Sequence, residues 1–70
     1  MKEQMNEYNW TQGSMDWHYL DNGKGEVIAS ISAYGFPICC FIGGAKAGEY
    51  TTLELAKEKL IEKCRQKRLL

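Results

Sequence analysis

A helical period runs through one stretch of this 70-residue chain and through no other. Leu53, Ala56, Leu60, Ile61 and Cys64 fall at the three-and-four spacing that lines up side chains on one helix face. Thr51 stands ahead of that stripe as an N-cap. Its hydroxyl can accept from a free N–H of the first turn, and Glu54, three residues on, can reach back to the cap. A helix is therefore expected from about Thr52 to Lys67. Everything upstream alternates with period two or breaks at glycine. The chain reads as one α+β domain over residues 1–70: a three-stranded antiparallel sheet with one C-terminal helix packed on one face, in the order β-β-β-α.

The first expected strand is Met15 to Leu20, where Met15, Trp17 and Tyr19 alternate with Asp16 and His18. Asp21 to Gly25 contains Asn22-Gly23, the dipeptide that supplies the positive φ angles of a hairpin. The second strand is Glu26 to Tyr34. Val27, Ala29, Ile31 and Ala33 share a small apolar face suited to a helix, and Ile28, Ser30, Ser32 and Tyr34 share a mixed, partly wet one. Gly35-Phe36-Pro37 turns the chain into the third strand, Ile38 to Ile42. Gly43 to Gly48 is a flexible loop or a loosely paired strand extension. Residues 1–13 form a partly flexible lead-in that becomes ordered near Tyr8 and Trp10. On the helix, Glu54–Lys57 and Glu62–Arg65 are candidate ion pairs and Leu55 points away from the apolar stripe. The basic tail Arg65 to Arg68 complements the negative end of the helix dipole.

Nine Lys and Arg balance nine Asp and Glu. Zero net charge argues against strong global attraction to nucleic acid or an anionic membrane, and equally against a polyanionic DNA mimic. No run approaches the roughly 18–20 apolar residues of a membrane-spanning helix. Met1 to Asn6 has no apolar run of the secretory type, so the expected compartment is a cytoplasm. Three cysteines, Cys39, Cys40 and Cys64, then read as reduced thiols.

Cys39, Cys40, Cys64 and His18 are four residues able to bind zinc. Adjacent strand residues point to opposite faces, so only one of Cys39 and Cys40 can join Cys64, and no metal is expected. A Cys39–His18–Asp16 cluster is conceivable as a nucleophile with its base, but a solvated His18 on the open sheet face is the simpler reading. Gly43 and Gly48 have the glycine spacing of a phosphate-binding loop, yet Glu49-Tyr50 follows instead of Lys-Ser/Thr, which leaves a hinge or a bent hairpin arm. No cofactor and no enzymatic activity are expected.

The strand order together with Gly48-x-Tyr50-Thr51-Thr52-x-x-x-Ala56 resembles the AP2/integrase-type DNA-binding modules, whose sheet lies in the major groove. The stretch Tyr50 to Ala56 is also similar to the second helix of double-stranded-RNA-binding domains. These resemblances imply a nucleic-acid partner. Such modules carry Lys and Arg on their strands, whereas the three expected strands here carry none. Six of the nine basic residues, Lys57, Lys59, Lys63, Arg65, Lys67 and Arg68, lie on the helix and its tail among Glu54, Glu58 and Glu62.

Protein binding is the favoured reading. One helix cannot cover both faces of a sheet, and Trp17, Tyr19, Tyr34 and Phe41 are available to the face left over, with Leu55 on the outer side of the helix, unless Tyr8, Trp10 and the N-terminal segment fold back over that face. The chain also resembles the small accessory proteins of tailed bacteriophages and prophages, through Trp10, Trp17, Gly25-x-Val27-x-Ala29-x-Ile31 and Gly48-x-Tyr50-x-Thr52-x-x-x-Ala56-Lys57. That resemblance implies a protein that binds a bacterial host factor stoichiometrically, in transcription, nuclease or immune-defence machinery, and inhibits or redirects it. A homodimer joined through sheet edges is a third possibility.

Overall fold

Five strands, not three, precede the helix in the computed structural model, which describes residues 8–70. They are β1 (Asn9–Gln12), β2 (Trp17–Asp21), β3 (Val27–Ser32), β4 (Ile38–Ile42) and β5 (Ala45–Tyr50), followed by α1 (Leu53–Gln66). All neighbours are antiparallel and the spatial order is β1-β2-β3-β4-β5, a simple meander. The α+β class, the antiparallel sheet and the single C-terminal helix are as expected; the count of three strands is corrected.

Both added strands are edge strands with weak patterns. β1 is four residues long with one apolar side chain, Trp10, too short for alternation to show. It also lies inside the expected lead-in, whose residues 1–7 are outside the described residues. β5 contains Gly48 and pairs with β4 through a bulge beside Cys40 and Phe41, so its only apolar side chains before Tyr50 are Ala45 and Ala47. The strand-extension reading of 43–48 is the one the structure adopts. Gly43 and Gly44, at φ 59° and 87°, form the tight turn that makes β4 and β5 a hairpin.

The first expected strand also begins two residues late. Met15 and Asp16 are left-handed, at φ 53° and 57°, inside a short 3-10 turn (Ser14–Asp16) that Gly13 N–H closes on the Trp17 carbonyl at 2.8 Å. β3 ends at Ser32, which leaves Tyr34 in a loop rather than on the sheet.

The helix cap is Thr52, not Thr51. Thr52 is extended (φ −133°, ψ 154°), and its Oγ1 accepts from Leu55 N–H at 3.1 Å. That shift by one residue puts Leu55 where Glu54 was expected to close a capping box; Glu54 instead stands in the first turn, where the helix dipole favours a carboxylate. The expected Glu54–Lys57 pair is replaced, with Lys57 Nζ lying 5.0 Å over the Trp10 ring. Glu62 meets Lys59 at 3.8 Å.

The helix packs against β3, β4 and β5. Ala56, Leu60 and Cys64 are buried against Leu20, Ala29, Ile31, Ile38 and Cys40. The register explains the set. His18, Ile31 and Cys40 form one row across the sheet, and Leu20, Ala29 and Ile42 the next, so all six point to the helix side. The Ala29–Ile31 face is therefore the covered one, as its small apolar character suggests. Val27 is 58% exposed, because it stands past the bulge at Leu20 and Asp21. Each fully buried Leu or Ile contributes about 1.5–3 kcal/mol, a large share in a domain whose total is roughly 4–10 kcal/mol.

Candidate functional site

The same alternation decides what the helix leaves uncovered. Trp17, Ser32 and Cys39 form a row on the other face, and Tyr19, Ser30 and Phe41 the next. Strand β3 contributes only serines here. Without bulk above β3, rings from β2 and β4 can lean over it toward one another. Trp17 and Phe41 meet at 5.8 Å between centroids with planes at 36°, and Trp17 stacks beside Tyr19 at 6.3 Å and 13°. Gly13 supports the arrangement from below: a Cβ there would lie 2.7 Å from Tyr19 Cε2. All three rings are half-buried, sheltered by neighbours on their own face rather than by the helix.

Three of the five expected surface residues, Trp17, Tyr19 and Phe41, are thus brought together. Tyr34 is not in that cluster. It lies in the β3–β4 loop and is 66% exposed. Leu55 is half-buried on α1, which packs on the opposite face of the sheet.

Two residues of the same character escaped sequence reading. Phe36 is 75% exposed and Met15 63%. In a meander the β1–β2 and β3–β4 connections lie at one end of the sheet, and Ala33 N–H donates to the Asp16 carbonyl at 3.1 Å, tying them side by side. Among the described residues, Met15, Tyr34 and Phe36 are three of the five exposed large apolar side chains. The signal for Phe36 was its place in Gly35-Phe36-Pro37, where a turn leaves a ring with no strand face to occupy. Met15 was read as part of an alternating strand.

His18 corrects another expectation. It is not solvated on the open face but buried on the helix side, 7% exposed, in register with Ile31. Its Nε2 lies 2.8 Å from Asp16 Oδ1, and Gln12 Nε2 donates to the same oxygen at 3.3 Å. The Asp16–His18 half of the conceivable catalytic cluster is present, but Cys39 lies on the opposite face and does not join it.

Cys40 and Cys64 are buried in the helix–sheet core, and Cys39 faces away from them, as alternation requires. Burial pushes the Cys40 thiol up to about 11; the neighbouring Cys39 adds to this and Lys63 opposes it. Burial also raises Cys64. Among the described residues, no group of three or more His, Cys, Asp or Glu side chains is placed to hold a metal ion. No helix among them is long and apolar enough to cross a membrane.

No protein-family model, no curated protein and no solved structure matches the chain.

Proposed function

We propose that this chain is a non-enzymatic protein-binding module whose partner seats on the sheet face opposite the helix. The observation that carries this reading is the Trp17–Tyr19–Phe41 cluster on a face the helix leaves uncovered. Large aromatic side chains are the most frequent anchors of protein interfaces, and a contiguous apolar patch on a small domain marks an interaction surface. Met15, Tyr34 and Phe36 extend the apolar character to one end of the sheet. The resemblance to phage accessory proteins supports a bacterial host protein as the partner class, a bacterial cytoplasm as the setting, and inhibition or redirection by stoichiometric binding as the action.

Nucleic acid is the less favoured partner. Strands β1 to β4 carry no Lys or Arg, and Lys46 of β5 is ion-paired with Glu49. The sheet therefore offers aromatic rings without the cations that phosphates require.

The test is affinity capture from bacterial lysate with mass spectrometry, comparing the wild type with a Trp17→Thr/Phe41→Thr variant. Threonine keeps strand propensity and removes both rings. The reading predicts a discrete protein retained by the wild type and lost by a variant that still folds. An identical set of captured proteins for both would refute it.

A further inference from the structure

The molecule has a second feature, on the helix side of the sheet and away from the aromatic rings. A cleft of about 440 Å³ lies between the β4–β5 hairpin and the last turns of α1, lined by Ile42, Ala45, Ala47, Lys46, Lys63, Gln66 and Lys67. Its size falls within the range of small-molecule sites, roughly 300–1,000 Å³. Among the described residues, no acidic side chain lines it. Lys46, on its rim, is ion-paired with Glu49. Lys63 and Lys67 stand one helical turn apart on the same side of α1, and neither is in an ion pair among the described residues.

This placement is a local segregation of charge in a chain whose net charge is zero. From Lys63 to Leu70 there are four basic residues and no acidic one. Two like charges at i,i+4 repel each other, so an anion between them relieves a cost that the free protein carries.

The helix end, whose dipole disfavours an anion, has two of its last carbonyls paired internally. Arg68 N–H donates to the Arg65 carbonyl at 3.0 Å and Leu69 N–H to the Cys64 carbonyl at 2.8 Å, with Arg68 left-handed at φ 62°. This is a Schellman closure, and it occupies carbonyls that would otherwise point their negative ends outward.

We infer that this cleft binds a phosphate monoester of mononucleotide size. The two ammonium groups match a phosphate of charge near −2. The Gln66 amide adds a neutral donor and acceptor for polar groups of the body. Ile42, Ala45 and Ala47 supply a small apolar wall against which a planar ring can lie. The inference is independent of the protein-binding reading, since it uses none of the aromatic face.

Titration of the ¹⁵N-labelled full chain with AMP tests it, with adenosine and a short single-stranded oligonucleotide as parallel arms. AMP is expected to give saturable shifts at Ala45, Ala47, Lys63, Gln66 and Lys67, and adenosine none. A Lys63→Gln/Lys67→Gln variant is expected to weaken AMP binding by about tenfold or more. Lys67→Gln alone, at an exposed position of the helix end, is expected to weaken it several-fold and guards against a folding defect in the double variant. Absence of saturable AMP shifts would overturn the inference, as would unchanged affinity in Lys67→Gln. Tighter, steeply salt-dependent binding of the oligonucleotide over the same residues would overturn it in favour of a nucleic-acid surface.

Discussion

The buried thiol of Cys40 makes the stability of the domain fall on the alkaline side in a calculable way. In the unfolded chain this thiol has its ordinary value of 9.0; in the fold, burial holds it up at about 11. The folded state therefore keeps its proton where the unfolded state has lost it. The contribution is fully present below about pH 9 and is lost as pH rises through the window from about 9 to 11. One pKa unit corresponds to about 1.4 kcal/mol, so the loss is about 1 kcal/mol near pH 10 and approaches 2–3 kcal/mol above pH 11. Against a total of roughly 4–10 kcal/mol for a chain of this length, that is a visible fraction. The assay is urea unfolding under reducing conditions from neutral pH upward, for the wild type and for Cys40→Val. Valine has a similar volume, suits a buried strand and does not titrate. All other titratable groups are common to both proteins, so the difference between the two curves isolates Cys40. The gap should be constant below about pH 8.5 and shift in favour of Cys40→Val above it. Parallel curves throughout would refute the reasoning and place the Cys40 sulfur in contact with water.

Two smaller perturbations test local assignments. Thr52→Ala should cost about 1 kcal/mol through loss of the cap to Leu55 N–H, while Thr51→Ala should leave the urea midpoint nearly unchanged; the reverse order would restore Thr51 as the cap. Arg68→Gly should stabilise by roughly 0.5–1 kcal/mol, since the residue is left-handed at the helix end, where glycine has no Cβ penalty; a lower melting temperature would show that the Arg68 side chain contributes contacts worth more than the strain.

How far the sequence carried this structure depends on the length and purity of each pattern. The helix was legible because five apolar residues repeat at helical spacing over twelve positions. Strands β3 and β4 were legible because they are central and rich in β-branched and apolar side chains. β1 and β5 were not, since an edge strand is held mainly by backbone pairing to one neighbour and needs no regular apolar alternation. The aromatic face was half legible. Alternation correctly placed Trp17 and Tyr19 together, but whether Phe41 could reach them depended on the register that sets Ser30 and Ser32 between them. Tyr34 was misplaced because nothing in Ser32-Ala33-Tyr34 announces the strand end. His18 was misread because it alternates with Trp17 and Tyr19: once those rings take the uncovered face, His18 must take the helix side, in register with Ile31.

The central claim is that the partner contacts the sheet face opposite the helix. Site-specific photo-crosslinking in bacterial cells tests it most directly, with a photoreactive phenylalanine analogue placed at Thr11, an exposed edge-strand position in register with Tyr19 on that face, or at Glu58 on the exposed side of α1. The account predicts a discrete crosslinked species from the Thr11 position and none from Glu58. Crosslinking from Glu58 alone, or from neither position, would contradict it.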